Sequence, residues 1–243
     1  PPMRRDDADM AATAFAFLND GGARRKLAAS LRVADVDASR YAAVYFVGGK
    51  GTMFDFPGDP GIQRLVRDVY QRGGVIGAVC HGPAALLDVV LDDGTPLLRG
   101  RRVAAFSNAE ELFLIEDARS RFPYLLQDRI LQKGGHYVEG PMYLDNTVVD
   151  GRIVTGQNPW STWSTAEAMV RALGHVPVAR APGRDEQAVQ VMTAYHRHGI
   201  AAAREARAAL PEADKRLLLM HALVAAMQGR AGDAWHLQAL ALG

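Results

Sequence analysis

Apolar positions along the chain fall into two patterns: short runs that stop at glycine, and longer stretches with one apolar face. The run Ala43 to Val47 is apolar and partly β-branched, and it ends in Gly48, Gly49 and Gly51. A short run bounded by glycines reads as a buried parallel strand. In "IQRLVRDVYQRGG" (62 to 74), Ile62, Leu65, Val66 and Val69 share one helical face and a Gly-Gly pair closes the helix. "VIGAVC" (75 to 80) predicts a second strand, and "PAALLDVV" (83 to 90) a helix with Pro83 in its first turn, where a missing N–H matters little. "RRVAAFS" (101 to 107) predicts a third strand, and the stretch 116 to 135 is helical toward its glycine end. In "NTVVDGRIVTG" (146 to 156) two β-branched runs joined at Asp150-Gly151 predict a hairpin with a type I′ turn. "STWSTAEAMVRALG" (161 to 174) has Ser/Thr caps and a closing glycine, so it predicts a helix, and residues 14 to 31 predict one or two short ones.

Strands alternating with helices predict an α/β domain with a mainly parallel sheet. After "VPVARAPGRDE" the texture changes: residues 185 to 243 are rich in Ala and Leu at helical spacing, broken at Pro211 and at "GRAG" (229 to 232). Two or three appended helices are expected there, packed on the domain or on a second subunit. The organisation expected is thus an α/β domain over 1–180 and a C-terminal helical extension over 181–243.

A chain of 243 residues, 49% hydrophobic, can bury a full core. Its formal charge of +1 and the lack of basic blocks interleaved with aromatics point away from nucleic acid. Its single cysteine and the lack of zinc-type Cys/His spacing suit a reducing, cytoplasmic setting with no metal. No apolar run has the length of a membrane span, and no secretory signal opens the chain.

In open α/β sheets ligands bind beyond the carboxyl ends of the strands, and three such ends here read "GGKG", "CHGP" and "FSNAEE". Ala78 to Gly82 resembles a nucleophile elbow, a sharp strand-to-helix turn that needs small flanking residues and lifts its central side chain above the sheet. A helix N-terminus aimed at the Cys80 sulfur would favour thiolate. Cys80 can equally be a buried, inert thiol. His81 can fold back to it on a tight turn, with Glu110 or Glu111 as the orienting third group; those two can also be first-turn carboxylates facing the helix dipole.

"VYFVGGKGTMFDFP", "GGVIGAVCHGPAAL", "VAAFSNAEE", "HYVEGP" and "VVDGRIVTGQNPWST", in this order, resemble the PfpI/ThiJ superfamily, and within it the heat-shock chaperone and glyoxalase III branch. The resemblance implies a class I glutamine amidotransferase-like, flavodoxin-like three-layer α/β sandwich, dimeric as a homodimer, that converts a small 2-oxoaldehyde such as methylglyoxal to lactate with no cofactor. It implies Cys80 as nucleophile, His81 as its neighbour and Glu111 as the acid of a Cys-His-Glu triad. It implies oxyanion or substrate contacts from Gly48, Gly49, Lys50, Gly82 and Asn158. The family loop commonly reads "GGHG", so Lys50 changes the charge at the site mouth. The family's first βαβ portion, with a glutamate that stands beside the sulfur, has no counterpart ahead of residue 15, so a fragment, a processed form or internal numbering is expected. An alternative function on the same fold is a stress-induced holding chaperone or a protein deglycase.

Overall fold

The structure is a computed structural model that describes residues 12–243. The described residues divide into two units, the first ending at Val36 and the second running Asp37–Gly243. In the first, the one or two short helices expected are two, α1 (Ala12–Asn19) and α2 (Gly21–Ala28). Asp20 separates them by accepting hydrogen bonds from the N–H groups of Gly22 (2.6 Å) and Ala23 (3.0 Å), which caps α2.

The second unit runs β1 (Ala43–Phe46), α3 (Thr52–Asp55), α4 (Pro60–Gln71), β2 (Val75–Val79), β3 (Arg102–Val103), α5 (Asn108–Leu114), α6 (Ala118–Arg121), α7 (Leu126–Gln132), β4 (His136–Tyr137), β5 (Thr147–Asp150), β6 (Ile153–Gly156), α8 (Thr162–Ala172), α9 (Arg184–Ala209), α10 (Lys215–Met227) and α11 (Ala231–Leu242). Its main sheet has the order β1-β2-β6-β5, with β1, β2 and β6 parallel and β5 antiparallel to β6. β3 and β4 form a second, parallel pair. β2 is buried at every position, so helices and loops cover both its faces, as a run of Val, Ile, Gly and Ala without alternation requires. α4 lies against β1 and β2, and α8 against β2, β5 and β6. α4 starts at an Asp59 cap followed by Pro60 and closes at Gly73, whose φ of 90° suits glycine alone.

Three local expectations change. The segment after Cys80 is a five-residue 3₁₀ helix, Gly82–Leu86, and the α-helix predicted over 83 to 90 does not form. The turn is crowded: a Cβ on Gly82 would collide with the Phe46 carbonyl, and all five residues are buried. The third strand is cut to two residues because Ala104 donates its N–H to the Thr155 hydroxyl (2.9 Å) and Phe106 to the Cys80 carbonyl (2.9 Å), leaving the β4 ladder. In the hairpin Asp150 pairs with Ile153, so the loop is Gly151-Arg152. Only Gly151 has positive φ there (58°), whereas a type I′ turn needs two such residues.

The C-terminal residues form three helices broken near Pro211 and at 229–230, as the pattern predicts, and α9 is also kinked at Gly199 (φ 83°). Their buried faces, with Met192, Leu218 and Leu240, build one core together with Leu144, against which Trp160 and Trp163 pack.

Candidate active site

Cys80 sits immediately after β2 with φ 62°, a left-handed conformation that a residue with a Cβ adopts at a cost of about 1–3 kcal/mol. The backbone holds it there from both sides: Cys80 N–H donates to the Gly156 carbonyl on β6 (2.9 Å), and its own carbonyl accepts from Phe106 (2.9 Å). Gly48 permits the close approach. A Cβ there would lie 2.6 Å from the Val79 carbonyl oxygen, 2.7 Å from the Cys80 Cβ and 2.8 Å from the His81 nitrogen.

The turn folds His81 back on its neighbour. Cys80 Sγ lies 3.2 Å from His81 Nδ1, and His81 Nε2 lies 2.5 Å from Glu111 Oε2. His81 and Glu111 are both buried, and the His81 ring stacks on Phe106 at 4.5 Å. An ionised carboxylate only accepts, so Nε2 carries the ring proton and donates to Glu111, leaving Nδ1 to accept from the thiol. The two adjacent glutamates divide the roles open to them. Glu110 forms a capping box with Ser107 and accepts from the Tyr143 N–H (2.8 Å) and the Asn158 side-chain amide (2.8 Å). Glu111, one residue on, faces His81.

Burial pushes the Cys80 thiol up to about 12, against hydrogen bonds from the His81 and Gly49 backbone N–H groups that favour the thiolate, while Glu110 and Glu111 oppose it. The expectation of a helix-stabilised thiolate is therefore corrected. The following 3₁₀ helix is too short to carry much dipole, and desolvation wins. The sulfur rests as a thiol beside the imidazole.

The remaining residues named from sequence separate into two groups. Gly48, Gly49, Gly82 and Lys50 surround the turn. Lys50 Nζ is 3.5 Å from Glu111 Oε1 and 5.9 Å from the centre of the Phe122 ring, and its side chain is partly exposed. Asn158 stands elsewhere. It is fully buried, its amide donates to Glu110 and to the Leu144 carbonyl, and its oxygen caps the next turn at Trp160, so its polar atoms are spent inside the protein. Two contributors were missed from sequence. Thr52 bridges the Gly49 and His81 carbonyls with its hydroxyl (2.8 and 3.1 Å), and Phe106 stacks on the imidazole. Both adjoin motifs already singled out, Thr52 following "GGKG" and Phe106 opening "FSNAEE". Among the described residues no group of three or more His, Cys, Asp or Glu is placed to hold a metal ion.

The sequence pattern of the DJ-1/PfpI family matches residues 19–172. The chain belongs to the DJ-1/PfpI family. This member has the family's flavodoxin-like fold, a mainly parallel sheet with flanking helices, and carries a C-terminal helical region besides. It is 37% identical over 147 residues to a Candida albicans protein named Glyoxalase 3, an alignment covering 58% of this chain and 61% of that one. The solved structure of Candida albicans glyoxalase III matches with a TM-score of 0.61 at 33% identity, over 66% of this chain and 68% of that one. The Rapid Encystment Protein 24 kDa of Francisella tularensis matches with a TM-score of 0.65 at 34% identity, over 69% of this chain and 73% of that one. The chain spans about three fifths of the length of the first curated relatives it matches. Among the described residues no helix of this DJ-1/PfpI member is long and apolar enough to cross a membrane.

Proposed function

We propose that this protein is a cofactor-independent thiol enzyme that isomerises and hydrates a small 2-oxoaldehyde, methylglyoxal being the simplest, to a 2-hydroxycarboxylate without glutathione. The observation that carries this reading is the continuous relay from Cys80 Sγ through His81 to Glu111 at 3.2 and 2.5 Å. Relatives named glutathione-independent glyoxalases support the substrate class. A free thiol at this position suits a cytoplasmic setting.

In this reading the Cys80 S–H gives its proton to His81 Nδ1 as the sulfur adds to the aldehyde carbon, forming a hemithioacetal. Glu111 stabilises the imidazolium that results. The Gly49 and His81 N–H groups, already beside the sulfur, face the alkoxide as it forms. A proton then moves from the former aldehyde carbon to its neighbour through an enediol. The product of that step is a thioester, and water releases the 2-hydroxy acid and returns the thiol. Positioned proton transfer of this kind contributes about 10² to 10⁴ in rate. Lys50, paired with Glu111, is assigned to the mouth, where it faces the substrate's entry.

A second reading, a holding chaperone, draws on the apolar side chains exposed on α10 and α11, among them Leu223, Met227 and Trp235. Lactate formation from methylglyoxal without glutathione, measured for this chain and for Cys80→Ser, separates the two. Turnover abolished by the substitution is expected. No turnover by the unsubstituted chain, with equal suppression of aggregation by both proteins, would overturn the enzyme reading in favour of the chaperone.

A further inference from the structure

The two carboxylate oxygens of Glu111 are not alike. Oε2 accepts from His81 Nε2 (2.5 Å), whereas Oε1 is buried and accepts no hydrogen bond among the described residues. The donors around the start of α5 are already used: the Ser107 N–H, the Tyr143 N–H and the Asn158 amide all serve Glu110, and the Asn158 amide also serves the Leu144 carbonyl. What the structure sets beside Oε1 is a charge, the Lys50 ammonium at 3.5 Å. Lys50 comes from the loop after β1, and Thr52 ties that loop to the Cys80 turn by spanning the Gly49 and His81 carbonyls with its hydroxyl (2.8 and 3.1 Å). The Phe122 ring, 5.9 Å from the ammonium, gives it an aromatic neighbour. An ion pair between two exposed side chains contributes about 0–1 kcal/mol, but removing one member of a buried pair strands the other. Here the Glu111 side chain is 5% exposed and that of Lys50 39%, so a cation reaching in from the surface meets a carboxylate that has no water to turn to.

We infer that Lys50 is a positioning residue for the reaction proposed above: its charge anchors Glu111 through Oε1 so that Oε2 stays on His81, and it acts through Glu111 rather than on the substrate. The inference rests on the assignment of Cys80, His81 and Glu111 as the reacting relay. A carboxylate held at one oxygen alone can rotate about its last side-chain bond. An imidazole whose acceptor rotates away loses the bond that fixes its orientation toward the Cys80 sulfur, and with it the group that stabilises the imidazolium formed when the thiol gives up its proton.

Lys50→Met keeps the aliphatic stem and removes the charge, and Lys50→Arg keeps the charge. Proton NMR of the full chain, cold, at neutral pH and without substrate, reads the His81 Nε2 proton, which a short charge-assisted bond shifts far downfield and shields from exchange with water. Its displacement in Glu111→Gln assigns it. The resonance is expected to persist in Lys50→Arg and to move upfield or broaden away in Lys50→Met. Turnover of methylglyoxal should follow: Lys50→Met lowers kcat by about tenfold or more with KM within about twofold, and the same substitution changes kcat by less than about twofold once Glu111 is replaced by Gln. The inference is overturned if the unsubstituted chain shows no such resonance, if Lys50→Met leaves it unmoved, if Lys50→Arg displaces it as Lys50→Met does, or if the loss in kcat is undiminished in the Glu111→Gln background. Should Lys50→Met fail to fold, Lys50→Gln, which is also uncharged, takes its place under the same criteria. A chain with no turnover of methylglyoxal, whose resonance nevertheless depends on the Lys50 charge, would leave this anchor standing while the proposed reaction falls.

Discussion

Cys80 is held as a thiol by the same burial that protects it from solvent. Its folded-state value near 12 lies above its ordinary value of 9.0, so the native protein keeps a proton that the unfolded chain gives up. Its contribution to stability is therefore whole below about pH 9 and fades as pH rises from about 9 to about 12. The same shift governs reactivity, because only the thiolate is a nucleophile. Alkylation of the folded protein by iodoacetamide should be far slower at neutral pH than in the urea-unfolded chain, and should rise with pH without levelling off below about pH 11. A plateau near neutrality would mean a standing thiolate and would refute the resting thiol. The identity of this residue as the centre of the site was legible in "AVCHGP", since small neighbours and a strand end point to a tight turn. Its ionisation was not, because desolvation depends on the packing of Phe46, Phe106 and α5 around it, which lie far apart in sequence.

The elements that make the site are short, and their glycines do different work. An alanine at Gly48 would meet backbone atoms of Val79 and His81, which cannot swing aside. One at Gly49 meets nothing within 4 Å but must hold φ at 118°. Gly48→Ala should therefore cost on the order of 3 kcal/mol in urea unfolding and lower Cys80-dependent turnover at least about tenfold, by displacing the elbow. A Gly48→Ala protein with unaltered unfolding midpoint and turnover would show that the loop relaxes freely. Strands β1, β2, β5 and β6 were readable because apolar, β-branched runs ending at glycine have few other outcomes. The 3₁₀ turn after Cys80 was not, since "PAALLDVV" has ordinary helical composition and the close approach of the Phe46 carbonyl to Gly82 comes from a strand over thirty residues earlier.

Across the whole second unit, the family-matched region and the C-terminal helices share core residues. Leu144 belongs to the same buried cluster as Leu218, Leu237 and Leu240, and Trp160 and Trp163 pack on it. Leu218, fully buried on α10, should cost about 2–5 kcal/mol when changed to alanine. Urea unfolding followed by tryptophan fluorescence checks this, and a loss within about 0.5 kcal/mol would mean that α10 contributes little to the core. By itself the sequence determined the strand and helix alternation, the family and the candidate pair Cys80 and His81, with a glutamate at 110 or 111 beside them. Apolar periodicity and strand-end motifs are local signals, and local signals survive in a string of letters. Only the tertiary structure decided which of two adjacent glutamates meets His81, that Asn158 serves Glu110 and a turn, and that Cys80 rests protonated. Each of those outcomes depends on distance and solvent exclusion between residues tens of positions apart, and neither quantity is written along the chain.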